Sequence, residues 1–438
     1  MKCWSKCPLI MLLFLSNCIF LASVGATGSR AASYRVIGYF AQWGIYERDY
    51  EPADIPAAKL THINYAFAEV RDTGEIYSID TYADFQMVFP AKNGLPAQTW
   101  EESENLQAGN FGRLRDLKAL YPHLKVLLAL GGWGWDGTFS GVAADPAKRA
   151  TFAASCASWV EAQGLDGIDI DWEYPAASDR ENVTALLQAV RAELDSLGSK
   201  NGRQYYLSVA TPSSEANLVG FDIPTVVTVV DWINLMTYDY HGSWDYTTGF
   251  NAPLYGDPAD PSSTWDIFNV SYTVDLYLTM GVPASQLNLG LPLYGRSWEA
   301  VADTNHGLYQ SGQPGPNTGA DGNWETGMFD YWRVVQLSQD GQYTRYWSGS
   351  SRVPYLYGPN ISSGLSGGMF LSYDDTQSVG EKVDYLKSKG LGGAMFWELS
   401  GDIRDSSDPN SLVGLVSKNL ADATAPLLPG VLLLLLFD

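Results

Sequence analysis

Cysteine is almost missing from the working part of this chain. Of four cysteines in 438 residues, Cys3, Cys7 and Cys18 fall close to the start, and Cys156 stands by itself downstream. A lone thiol excludes an intrachain disulfide, so stability must come from a large apolar core, which a chain of this length can supply. Cys156 lies in Phe152–Val160, whose apolar residues recur at helical spacing, and reads as a buried structural thiol rather than a nucleophile. Histidine is equally scarce: His62, His123, His241 and His306 show no metal-ligand spacing, so neither a catalytic metal nor a cofactor is expected. Basic residues are outnumbered, with 27 Lys and Arg against 49 Asp and Glu for a net charge of −22, which argues against nucleic acid as a partner.

Long hydrophobic runs are also few. One extends from Pro8 to Ala22, after Lys2 and Lys6 and before the small residues Val24-Gly25-Ala26. It reads as a signal peptide, residues 1–26, cut after Ala26. The run is interrupted by Ser16-Asn17 and is shorter than the ~20 residues a membrane span needs, so no integral span is expected. Loss of two lysines with this segment moves the charge from −22 to −24. Export to the extracellular space follows, and Asn182-Val183-Thr184, Asn269-Val270-Ser271 and Asn360-Ile361-Ser362 are glycosylation sequons there. The apolar Pro426–Phe437 belongs to a C-terminal tail, 421–438, whose polar spacer is too brief for a lipid-anchor signal.

Aromatic residues, in contrast, are plentiful: 15 Trp, 26 Tyr and 16 Phe, a composition suited to the flat apolar faces of sugars. Short apolar runs recur at Val36–Phe40, His62–Ala66, Lys125–Leu130, Gly167–Asp171, Tyr206–Ala210, Trp232–Met236, Leu287–Leu291 and Gly393–Phe396. Helical patterns such as Asn182–Leu197 and Val379–Lys389 fall between them. Alternation of this kind predicts a parallel sheet, and eight units predict an α/β fold of the (β/α)8 TIM-barrel type. The spacing breaks once, with about a hundred residues between the seventh run and the eighth. Residues 299–372 there are rich in Gly, Tyr, Trp and Ser and predict a small antiparallel sheet with a helix, leaving 33–298 and 373–420 as the barrel.

The most informative segment is Asp166-Gly167-Ile168-Asp169-Ile170-Asp171-Trp172-Glu173-Tyr174-Pro175. Strand spacing puts Asp169, Asp171 and Glu173 on one face and Ile168, Ile170 and Trp172 on the other. Acids two apart lie roughly 7 Å from each other, close enough to resist joint ionisation and raise one pKa. Glu173, at the strand's C-terminal end, is the candidate general acid, because α/β barrels place their chemistry there. The same oxygen-rich row is compatible with a hard cation.

Asp166, Asp169, Asp171 and Glu173 also fill the Asp-x-x-Asp-x-Asp-x-Glu signature of glycoside hydrolase family 18, the chitinases, which the chain resembles from Val36-Ile37-Gly38-Tyr39 to Met395-Phe396-Trp397-Glu398. The resemblance is to fungal and bacterial enzymes with an α+β insertion domain between strand 7 and helix 7. It implies retaining, substrate-assisted hydrolysis of β-1,4-linked N-acetylglucosamine, with chitin or its oligosaccharides as the partner. It implies Glu173 as acid and then base, Asp171 as the group that binds the acetamido N–H, and Asp169 as holder of a shared proton. Tyr238 would orient the acetamido oxygen and Asp239 accompany it. Trp397 would floor the pocket, Tyr39 would touch Asp169, Met236 and Arg296 would wall the site, and Trp133 and Trp43 would be platforms. Asp166, Gly131 and Gly132 are read as structural. Where the family's third strand ends Ser-x-Gly-Gly, this chain has Ala129-Leu130-Gly131-Gly132, so Asp169 is expected to lose a hydroxyl donor and its pKa to shift. Two other activities occur on such a barrel: lectin-like chitin binding without the acid, which Glu173 speaks against, and an endo-β-N-acetylglucosaminidase of N-glycans, which the insertion disfavours. A complete barrel needs no second subunit, so a monomer is expected.

Overall fold

The computed structural model describes residues 34–361 and 365–424. The segment read as a signal peptide, with Cys3, Cys7 and Cys18, lies outside the described residues, as do Ser362 of the third sequon and most of the C-terminal tail.

Eight parallel strands close into a barrel: β1 (Arg35–Ala41), β2 (His62–Val70), β3 (Lys125–Gly131), β4 (Gly167–Asp171), β5 (Tyr206–Pro212), β6 (Trp232–Met236), β7 (Leu287–Pro292) and β8 (Gly393–Trp397). Each pairs with the next in sequence, and β8 pairs back to β1. All eight coincide with the apolar runs in the sequence. The alternation works as strand geometry requires: Ile168 and Ile170 of β4 point outward into the core shared with the helices, while Asp169 points into the barrel. Burial of each isoleucine stabilises the fold by about 1.5–3 kcal/mol.

The helices pack on that outer surface. Arg180–Asn201 and Thr376–Lys389 extend the two helical patterns seen in the sequence by a few residues at their ends. Pro146–Gln163 shows why such boundaries fall where they do. The Asp145 carboxylate accepts from the amides of Ala147 and Lys148, Pro146 needs no amide partner, and Gly164 closes the helix at φ 66°. Cys156 of this helix is buried, and burial pushes its thiol pKa upward, away from reactivity. Helix Val270–Thr279 engages the asparagine of the second sequon. Asn269 is its N-cap, 3% exposed, with its amide engaged by Tyr272 N–H and the Asp266 carbonyl, so this sequon presents no free glycan acceptor.

Between β7 and β8 stands a six-stranded antiparallel sheet of Tyr294–Val301, Gln313–Pro314, Met328–Asp330, Thr344–Ser348, Val353–Gly358 and Gly368–Ser372, with helix Tyr331–Leu337. Its first strand begins immediately after β7, ahead of Glu299, and so carries Tyr294 and Arg296 up from the barrel mouth. The sheet has a core of its own around Trp298, Val301, Tyr355, Tyr357 and Phe370. Among the described residues, no helix is long and apolar enough to cross a membrane.

Candidate active site

The acid row runs from the barrel interior to its C-terminal mouth. Asp169 is fully buried and accepts hydrogen bonds from Tyr39 Oη at 2.5 Å, Ser208 Oγ at 2.5 Å and Asn234 Nδ2 at 3.3 Å. Burial raises its pKa to about 6, against the pull of those donors. Ala129, its register partner on β3, contributes no hydroxyl, yet Ser208 on the other neighbouring strand does. The donor shortage expected at Asp169 from Ala129 is therefore not present.

Asp171 is the next residue inward-facing on β4, 4% exposed, and its Oδ1 has no hydrogen-bond partner among the described residues. Burial, then the charges of Glu173, Asp169 and Asp136, hold its pKa well above the usual carboxylate range. An orphaned buried carboxylate oxygen is an expensive feature that a ligand N–H or a shared proton would satisfy. β4 ends at Asp171, so Glu173 does not continue the strand as its spacing suggested; it stands on the loop beyond, before a cis peptide to Tyr174. Burial, with the nearby charges of Asp239 and Asp136, raises its pKa to about 7 against the pull of the Tyr174 hydroxyl and the Trp133 amide. Such a carboxyl holds its proton near neutrality and can lose it during a reaction.

Gly131 and Gly132 bring the end of β3 against this row. The Gly132 amide donates to the Asp171 carbonyl at 2.7 Å, and Gly131 has φ 105° with no room for a side chain. A Cβ there would sit 2.1 Å from the Asp171 carbonyl oxygen. Asp166 is at the other end of the strand, where it accepts the Val126 amide at 2.8 Å and pairs with Lys118 at 2.6 Å and with Arg203.

β6 delivers Met236, and the loop after it delivers Tyr238 and Asp239. Tyr238 is buried, and its hydroxyl has only the Met395 sulfur at 4.0 Å as a protein partner among the described residues, so it is available to a ligand. Asp239 sits at φ 58° and accepts from Tyr294 Oη, Arg296 Nε and Arg296 Nη2, each at 2.8 Å. The two-pronged guanidinium contact fixes the carboxylate in one orientation.

Aromatic rings line the remaining wall. Trp397, at the end of β8, packs edge-on to Tyr39 at 5.4 Å and stacks on Phe67 at 5.7 Å. Trp43 meets Trp135 at 5.6 Å and Phe67 at 6.4 Å. Trp43 and Trp397 border a cleft shared with Arg48, Tyr294, Glu325 and Met328. Trp133 is 77% exposed on the rim. The structure thus brings Tyr39, Asp169, Asp171, Glu173, Met236, Tyr238, Asp239, Arg296 and Trp397 to one mouth. Ser208, Asn234, Tyr294, Phe67 and Trp135 were not foreseen. Ser208 and Asn234 carried a signal, as polar residues embedded in apolar strand runs; the others looked like ordinary core aromatics. Among the described residues no group of His, Cys, Asp and Glu is arranged to hold a metal ion, so the cation reading of the acid row has no geometric support.

The fold and the site define a carbohydrate-cleaving barrel, and comparison with known proteins agrees. The sequence profile of Glycosyl hydrolases family 18 matches residues 35–402, and the chain belongs to that family. It is 38% identical over 450 residues to Chitinase A1 of Niallia circulans, covering 92% of this chain and 62% of that protein. It is also 38% identical over 411 residues to Endochitinase 1 of Metarhizium robertsii, covering 92% and 89%. Among solved structures, chitinase ChiA74 from Bacillus thuringiensis superposes with a TM-score of 0.79 at 36% identity, covering 89% of this chain and 70% of that one.

Proposed function

We propose that this glycoside hydrolase is a chitinase that cleaves β-1,4 bonds between N-acetylglucosamine units, with retention and with the substrate's own acetamido group as nucleophile. The observation that carries the proposal is the graded acid row. Asp169 is buried and fully hydrogen-bonded, Asp171 is buried with one oxygen unpartnered, and Glu173 opens to the mouth with a pKa raised to about 7.

Glu173 protonates the glycosidic oxygen as the acetamido carbonyl attacks the anomeric carbon. The same carboxylate then takes a proton from the water that opens the oxazolinium ion. Asp171 accepts the acetamido N–H on its orphaned oxygen and offsets the charge that develops. Asp169 takes up the proton the pair shares, so Asp171 is free to turn toward the sugar. The Tyr238 hydroxyl donates to the acetamido oxygen, Asp239 is held for the neighbouring sugar by Arg296, and the Trp397 indole lies under the pyranose. Chitinases are also what the relatives named above are called. Secretion belongs to the same reading and rests on residues 1–26 alone; N-terminal sequencing of protein from culture medium tests it.

Glu173→Gln is the test. The variant is expected to bind chito-oligosaccharides with near-normal affinity and to lose at least a hundredfold in turnover of colloidal chitin. Binding without turnover by the wild-type protein would instead favour the lectin-like reading.

A further inference from the structure

Two fully buried amides, Asn234 and Asn288, have no part in the chemistry above, yet they form a continuous chain down the barrel axis. Arg35 Nε donates to Asn288 Oδ1 at 3.0 Å, Asn288 Nδ2 donates to Asn234 Oδ1 at 3.0 Å, and Asn234 Nδ2 donates to Asp169 Oδ1 at 3.3 Å. A guanidinium can only donate. Its presence forces the Asn288 oxygen toward it, hence the Asn288 amino group toward Asn234, hence the Asn234 amino group toward Asp169. Without that anchor either asparagine could turn over and present a carbonyl to the carboxyl.

We propose that Arg35, at the end of the barrel opposite the reaction, is a positioning residue that fixes the polarity of this chain and so favours the ionised form of Asp169. The inference rests on the role given to Asp169 above. Independent features show that the arginine is held in place. Its Nη2 donates to the Ser285 carbonyl at 2.7 Å, its Cζ lies 5.3 Å from the centre of the Trp232 ring, and a Cβ at Gly392 would sit 2.0 Å from Nη2. Glycine at 392 leaves the space the guanidinium fills.

The groups facing Asp169 are Tyr39 from β1, Asn64 from β2, Ser208 from β5, Asn234 from β6 and Asp171 on its own strand, while β3 offers only Ala129. At the other end, Arg35 is accompanied by Asp231, with His62 and Lys125 close by. Burial lowers the Arg35 pKa to about 10, which still leaves a cation at neutral pH. The donor-to-carboxylate polarity is therefore maintained throughout the working range.

The test is the pH profile of kcat on a soluble chito-oligosaccharide for Arg35→Met, Arg35→Lys and Asn288→Leu, with carboxyl titration followed by infrared difference against Asp169→Asn. In Arg35→Met and Asn288→Leu, Asp169 should hold its proton to higher pH. The basic limb, where the shared proton leaves Asp169, should then move up by about half to one pH unit, with KM within about twofold. Arg35→Lys, which keeps a donor-only cation, should return most of the way. A folded Arg35→Met or Asn288→Leu whose profile and carboxyl titration superimpose on the wild type would overturn the proposal, even if its melting temperature falls. The infrared titration is independent of turnover. Failure of the chitinase reading would appear separately, as absence of hydrolysis by the wild-type protein.

Discussion

Neutralising Glu173 should stabilise the protein while it abolishes the reaction, and the gain should depend on pH in a defined way. The carboxyl's pKa is raised from its ordinary value of 4.5 to about 7 in the folded chain. Between those values the native state binds the proton and the unfolded chain releases it, so native stability falls as pH rises through this window. Below 4.5 both states are protonated and the effect vanishes; above 7 it is complete. At ~1.4 kcal/mol per unit, the ionised carboxylate destabilises the fold by at most about 3.5 kcal/mol above neutrality. Water reaching the open side of the group reduces that figure. Coupling to Asp171 divides the effect between the two acids, so Glu173→Gln and Asp171→Asn should not add. The assay is thermal or urea unfolding of wild type and Glu173→Gln at pH 4 and pH 8. Equal stability at pH 4 and a more stable variant at pH 8 are expected. A difference of the same size at both pH values would refute the reasoning, since it would arise from packing rather than from the ionised carboxylate.

Three further outcomes follow from single contacts. Tyr238→Phe should lower kcat by about a hundredfold while leaving KM and melting temperature nearly unchanged, because among the described residues the hydroxyl's sole protein partner is the Met395 sulfur; steady-state kinetics with a melting curve checks this. Arg296→Ala should destabilise by about 1–3 kcal/mol and raise KM, since it frees the one-third-exposed Asp239 carboxylate from two charged hydrogen bonds; Arg296→Lys should recover little, lacking the two-pronged geometry. Gly131→Ala should cost well over 3 kcal/mol or prevent folding, because its Cβ meets the Asp171 carbonyl at 2.1 Å and its φ is 105°; unchanged urea stability would contradict it.

Much of this was legible in the residues themselves because strand periodicity is strict. Ile168 and Ile170 alternate with Asp169 and Asp171, and the structure sends the two sets to opposite faces. The limit of the pattern lay at its end: alternation continues through Glu173, but β4 stops at Asp171 and the acid is placed by a loop. What the sequence concealed is chiefly cross-strand. Ser208 faces Asp169 through register between β4 and β5, and Asn234 reaches it from β6, relations fixed by barrel closure and invisible in a linear string. For the same reason Ala129 looked like a deficit when read along β3, whereas Ser208 supplies the hydroxyl from across the sheet. The Asn269 sequon has the same limit, since three residues define the motif while helix capping decides whether the amide is free in the folded chain.

The central claim is that the substrate's acetamido group attacks and Glu173 serves as acid and base in turn. It is tested most directly by the anomeric form of the first product released from a chito-oligosaccharide, read by proton NMR within seconds of mixing. Retention predicts that the β-anomer appears first and equilibrates afterwards, and that a fully deacetylated oligomer is not cleaved. An initial α-anomer, or cleavage of the deacetylated chain at a comparable rate, would contradict the account.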